Sequence, residues 1–161
     1  MTQTAMLTPI QTLKDVFIIR TLTLDDAPLL MQHARAYWQD TGYRIFQTQC
    51  DPVYATEWVY QQCVAKPSLV LLAFHEDELA GWIGGSIVPF PMLPDVPYLW
   101  EWLWWIRPPY RDGPLAMRLW RHMRRWAKAN GARVLMYGRP EAVSSHEFIE
   151  TVHWRLLPEK E

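Results

Sequence analysis

Covalent and metallic staples are scarce in this sequence. Cys50 and Cys63 are the only cysteines in 161 residues. Two thiols make no disulfide framework, and their spacing fits no metal motif. The histidines His33, His75, His122, His146 and His153 show no ligand spacing either, so no metal cofactor is expected. Charge of one sign is also lacking: 16 Lys and Arg against 17 Asp and Glu leave a net −1. No global field therefore draws the chain to nucleic acid or to an anionic membrane, and neither is expected as a partner. The longest apolar-looking runs, "SLVLLAF" and "YLWEWLWWI", are too short to span a bilayer. "MTQTAMLTPIQTLKD" has no basic start followed by an apolar block, so it does not read as a secretory signal. The expectation is a cytoplasmic protein with free thiols. There is no internal repeat, no domain linker and no nucleophilic Ser or Cys constellation. The length favours a single domain over 1–161, with 1–15 as a loose N-terminal arm.

What is abundant is apolar and aromatic. Half of the residues are hydrophobic, with ten Trp and thirteen Pro, the balance of a globular chain with a real core. "VFIIRTL" (16–22) reads as a strand. Thr23 and Asp26 have the form of a capping box before a helix over 24–39. Asp51 and Pro52 suit the N-cap and first turn of a second helix ending before Pro67. "SLVLLAF" (68–74) and "LAGWIGGSIV" (79–88) read as strands joined by the polar turn "HEDE". Gly81, Gly84 and Gly85 weaken the second of these or admit close backbone approach. "PFPMLPDVP" (89–97) reads as a rigid loop. "YLWEWLWWI" (98–106) is a strand with bulk on both faces. Simple alternation puts Tyr98, Trp100, Trp102, Trp104 and Ile106 on one face, and Leu99, Glu101, Leu103 and Trp105 on the other. A helix over 113–130 carries the stripe Leu115, Leu119, Met123 and Trp126, and Gly131 suits its left-handed C′ position. "RVLMYG" (133–138) is a strand, "SSHEFIETV" a short helix, and "WRLLPEKE" a last short strand. The order is βααβββαβαβ. Strand 98–106, helix 113–130 and strand 133–138 form a right-handed βαβ unit.

The turn "RPPYRDGPLAMRLW" (107–120) joins that strand to that helix. Such a turn places unpaired backbone N–H groups at a helix start, where the dipole also favours an anion. Gly113 permits close approach of a ligand to the backbone.

This element order, with "PPYRDGPLAMRLWRHMRRWAKANGA", resembles the GNAT superfamily of acyl-CoA-dependent N-acyltransferases. The family's signature is Arg/Gln-x-x-Gly-x-Gly/Ala, whose amides hold the pyrophosphate of acetyl-CoA. Arg111 matches the leading Arg, and Ala116 takes the final small position. "IIRTLTLDDAPLL", "ELAGWIGGSIV" and "FIETVHWRLLPE" are similar to further family segments, so the resemblance covers about residues 16–159. It implies an α/β (α+β) fold with a mixed, mostly antiparallel, splayed sheet and flanking helices. It also implies acetyl transfer from acetyl-CoA to a small-molecule or protein amine. Three features depart from the pattern. Asp112 and Pro114 stand where glycines are common, and Pro114 has no N–H to offer. Ile149 occupies the place of a frequent general-acid Tyr. The tail ends soon after His153-Trp154, an outline similar to small virus-encoded members, and it leaves room for a homodimer that completes the sheet.

On this resemblance Glu101 is the candidate base, and His146 a stand-in for the missing acid. Burial beside Leu103 and Trp105 would raise the Glu101 pKa; pairing with an Arg or an indole N–H is the structural alternative. The cofactor-binding candidates are Ile106 and Arg107 for the pantetheine arm, and Arg111, Asp112, Gly113, Leu115, Ala116 and Arg118 around the phosphates. Arg118, Arg121, Arg125 and Lys128 share a helix face, which either meets phosphate or an acidic partner or is simply solvated. The Trp cluster 100–105 suits a core, a flat substrate wall or an interface. A GNAT-fold protein without catalysis, serving as a binding or structural component such as a virion part, is the alternative function. Residues 40–52 and 89–97 are the expected acceptor loops.

Overall fold

The computed structural model describes residues 16–41, 48–144 and 147–157. Its strands are β1 (Phe17–Thr21), β2 (Ser68–His75), β3 (Glu78–Phe90), β4 (Leu93–Ile106), β5 (Val134–Ser144) and β6 (Glu147–Leu156). Three α-helices accompany them: α1 (Ala27–Asp40), α2 (Pro52–Ala65) and α3 (Leu115–Ala129). The six strands form one sheet in chain order, every neighbouring pair antiparallel except the parallel β4 and β5. This is the mixed, mostly antiparallel α/β sheet expected from the sequence.

Alternation along β2 sorts the core into two layers. Leu71 and Ala73 join Leu115, Leu119, Met123 and Ala127 of α3 on one face. Val70 and Leu72 join Leu30 of α1 and Val59 of α2 on the other. Leu115, Leu119 and Met123 of the expected stripe are buried, whereas Trp126 is only partly buried and Ala127 takes the fourth buried position. The helix ends as expected: Gly131 has φ +85, its N–H reaches Lys128 O, and the Ala132 N–H reaches Ala127 O. This is a Schellman closure.

The central strand departs from simple alternation. Gly84 pairs with Leu103 and Gly85 with Glu101, so Trp102 is an extra residue in β4, a β-bulge. Side chains past the bulge change parity. Trp102, Leu103 and Trp105 lie on the α1–α2 face, whereas Leu99, Trp104 and Ile106 lie on the α3 face. Glu101, opposite Gly85, shares the Leu99 side. The expected grouping of Glu101 with Leu103 and Trp105 is therefore corrected. The paired glycines accommodate the bulge: a Cβ on Gly84 would meet the Trp102 ring at 3.1 Å, and one on Gly85 would meet Leu99 Cδ1 at 2.9 Å.

Two further expectations change. The proline-rich stretch 89–97 is a hairpin extension, with Pro89 opposite Pro97 and a turn in which Met92 has φ 64. Pro97 lends its carbonyl to the Arg133 N–H on the far side (2.8 Å), so at this non-hydrogen-bonded position a missing N–H costs no β3 bond. Of the helix expected over "SSHEFIETV", Ser144 ends β5 and Glu147–Val152 lie in strand β6, which continues to Leu156 and is not a short last piece, while Ser145 and His146 lie outside the described residues. Ile149, Thr151 and Val152 are β-branched, and ladder pairing with β5 outweighs a weak helical pattern. The order is βααβββαββ.

The Thr23–Asp26 box is present and reinforced. Asp26 Oδ2 accepts from the Thr23 N–H (2.7 Å) and Thr23 Oγ1 (2.9 Å), while Arg20 grips both carboxylate oxygens at 2.6 and 2.7 Å. The Arg20 hydrogen bonds, aided by Thr23, hold the Asp26 pKa down to about 2 against the opposing effect of burial. A depressed carboxylate pKa stabilises the fold above its unfolded value and loses that contribution as pH falls through the folded value. Between about pH 4 and pH 2 the wild-type chain should therefore lose roughly 1–2 kcal/mol that Asp26→Asn does not lose, after discount for the half-exposed Arg20. Urea unfolding across that window measures the difference.

Candidate functional site

β4 has two neighbours only in its middle and one beyond it. It pairs with β5 only at Tyr98–Val134, Leu99–Leu135 and Trp100–Met136, while β3 follows it to Ile106. β5 continues to Ser144 against β6 alone. The sheet is thus splayed, and the edge of β4 beyond the bulge faces an open crevice. The Arg107 N–H bonds Ala80 O, so ladder alternation turns the backbone groups of Trp104 and the Ile106 N–H toward that crevice. The Trp104 backbone was not among the residues expected from sequence. Only the bulge and the register reveal it.

At the end of the crevice the chain makes a 3-10 turn over Pro108–Tyr110 and enters α3 behind Pro114. The first backbone bond into α3 is Arg118 N–H to Pro114 O. Among the described residues, the amides of Gly113, Leu115, Ala116 and Met117 have no protein acceptor. They form a donor set at the positive end of a 15-residue helix. Gly113 has no left-handed φ to satisfy, and a Cβ there would meet only Tyr110 O at 3.7 Å. The protein's own packing does not require glycine, so the space beside it is available to a ligand.

The expected cationic residues are already engaged. Arg111 Nε donates to Ile106 O (2.9 Å) and its Nη2 to Asp40 Oδ2 (2.7 Å). The same Asp40 oxygen accepts from Trp105 Nε1 (3.0 Å). Arg107 donates to Leu79 O (2.7 Å) and takes the Tyr110 N–H on its own carbonyl (2.9 Å). Its side chain and both backbone groups thus belong to the β2–β3 hairpin and the turn. Arg118 lies over Phe17 and donates to its carbonyl (3.3 Å), joining α3 to β1. Asp112 is exposed at the turn. Glu101 is half-buried at the point where β4 and β5 part. His146 lies outside the described residues.

On the opposite face a cavity of about 460 Å³ lies between α1, α2 and the bulged part of β4. Tyr37, Trp58, Trp82 and Trp102 contribute aromatic walls, and Leu103 reaches it from the bulge. The crevice along the edge of β4 and this cavity on its α1–α2 face thus share one strand segment, 101–105. Among the described residues no helix is long and apolar enough to cross a membrane, and no group of three His, Cys, Asp or Glu could hold a metal.

A crevice between two parting strands, closed by the N-terminus of the helix that joins them, is the distinguishing feature of this mixed α/β fold. The chain belongs to the acetyltransferase (GNAT) family, whose model matches residues 29–153. Solved structures agree on the fold. A GNAT family acetyltransferase from Staphylococcus aureus is 16% identical with TM-score 0.60, covering 74% of this chain and 83% of that one. A ribosomal-protein-alanine N-acetyltransferase from Brucella melitensis is 17% identical with TM-score 0.59, over 74% and 78%. A predicted acetyltransferase from Clostridium acetobutylicum, solved with acetyl-CoA, is 12% identical with TM-score 0.61, over 74% and 79%. No curated protein matches the chain significantly.

Asp40 is the common acceptor for a buried indole and the turn's arginine. Asp40→Ala leaves the Trp105 N–H unpaired and should destabilise the fold by about 1–3 kcal/mol. Asp40→Asn keeps an acceptor oxygen and should lose less. Urea midpoints at unchanged m-value decide between them.

Proposed function

We propose that the protein transfers an acetyl group directly from acetyl-CoA to an amine: the C–N bond forms as the thioester C–S bond breaks, and coenzyme A leaves as a thiolate that is protonated to the thiol. The observation that carries this reading is the unpaired amide set of Gly113, Leu115, Ala116 and Met117 at the end of the β4–β5 crevice, with open space beside Gly113. These amides would hold the diphosphate, and the Trp104 backbone with the Ile106 N–H would pair with the pantetheine arm. Acetyl-CoA supplies an activated thioester carbonyl. Glu101, at the parting of the strands, takes the proton of the attacking amine through water. Positioning of donor and acceptor on either side of residues 101–105 supplies the rest of the acceleration. The proposal places the protein in the cytoplasm, where the free thiols of Cys50 and Cys63 stay reduced.

Three features of the turn favour a second reading, a GNAT-fold binding protein without catalysis. Pro114 contributes no donor, Asp112 brings a negative charge, and the Arg111 guanidinium already contacts Asp40 and Ile106.

Calorimetric titration with acetyl-CoA separates the two. Saturable binding is expected for the wild-type chain and should be lost in Gly113→Trp, whose melting temperature should stay near wild type because the site is open. Glu101→Gln should bind acetyl-CoA as wild type does, with turnover reduced roughly 10²-fold or more. Absence of binding at millimolar acetyl-CoA would discard the transferase reading and leave the second.

A further inference from the structure

The cavity under α1 and α2 carries a chemical signature of its own. Trp82, Trp102 and Trp105 of β3 and β4 pack together on this face. Trp102 Nε1 donates to Ser86 Oγ (2.8 Å), and Trp105 Nε1 donates to Asp40 (3.0 Å). Trp82 Nε1 has no partner among the described residues, although Trp82 is only 2% exposed. Thr56 Oγ1 is likewise unpaired, in a residue 6% exposed. Both residues belong to the cavity wall. An unpaired buried polar atom is destabilising, and a ligand atom that pairs with it recovers that cost.

The rest of the wall is aromatic and aliphatic. Trp58 stands edge-on to Trp102 at 5.2 Å between centroids, and Tyr37 edge-on to Trp82 at 5.7 Å. Such walls favour a flat apolar body. Asp51 is the one wall carboxylate among the described residues, and its Oδ1 already caps α2 through the Val53 and Tyr54 amides. A substrate carrying several positive charges would find little to pair with here.

We infer that the acceptor is an arylalkylamine: a primary amine on a flat aromatic body that bears an oxygen able to accept from Trp82 Nε1 or to pair with Thr56 Oγ1. The fate of the amine rests on the acetyl-transfer reading; the recognition does not.

Calorimetry on the full chain without acetyl-CoA tests this, with 5-methoxytryptamine, tryptamine and the polycationic aminoglycoside kanamycin as probes. Both tryptamines should bind, kanamycin should bind at least tenfold more weakly, and the methoxy oxygen should improve affinity roughly tenfold over tryptamine. Trp82→Phe should shrink that preference, read as the ratio of the two affinities within the same variant. Thr56→Val, close in shape, should keep or raise the melting temperature by removing an unpaired hydroxyl, and should also reduce the preference. Kanamycin binding as tightly as the tryptamines, failure of both tryptamines to bind, or a methoxy preference intact in both variants would overturn the inference. A chain that takes the tryptamines but no acetyl-CoA sinks the transferase reading alone. One that takes acetyl-CoA but neither tryptamine sinks this inference alone.

Discussion

Everything functional in this fold depends on β4 losing one of its two neighbours halfway along. A central strand ordinarily satisfies its amides and carbonyls on both sides. Here three pairs hold β4 to β5, and β5 then continues with β6 alone. The groups left on the β4 edge need another partner, which water or a ligand in the crevice can supply. β3 makes this tolerable: its ladder continues to Ile106 and holds the exposed half of β4 in place.

The bulge at Trp102 sets what that half-strand presents. It sends Trp102, Leu103 and Trp105 to the α1–α2 layer and Trp104 and Ile106 to the α3 layer. One short segment therefore carries an aromatic wall on one face and main-chain groups at its edge. The helix that returns the chain to β5 brings its first turn to the end of the same crevice, so a single crossover supplies both the opening and the helix N-terminus at its end.

Much of the fold was legible because local signals agreed with it. The α3 stripe, Gly131 and the Thr23–Asp26 pair each name a specific closure, and each is found. The turn carried enough pattern to suggest the family, and the family model agrees. The bulge was not legible: strict alternation is the default reading of a strand, and only the register across to Gly84 and Gly85 reveals the extra residue. The local pattern of residues 144–152 suits a short helix, whereas pairing with β5 makes Glu147–Val152 a strand. Arg111 was readable as a cation but not as an occupied one, since its partner Asp40 lies 71 residues earlier in the chain. The cavity was out of reach for a similar reason: its walls come from α1, α2, β3 and β4 together.

Asp40 ends α1, and that helix also walls the aromatic cavity through Leu30, Ala34 and Tyr37. Its carboxylate holds the Trp105 indole and the Arg111 side chain that closes onto Ile106. The two chambers on either side of β4 thus share a mechanical link. The last turn of α1 cannot slide outward to admit a bulky guest without dragging or releasing the lip of the opposite crevice.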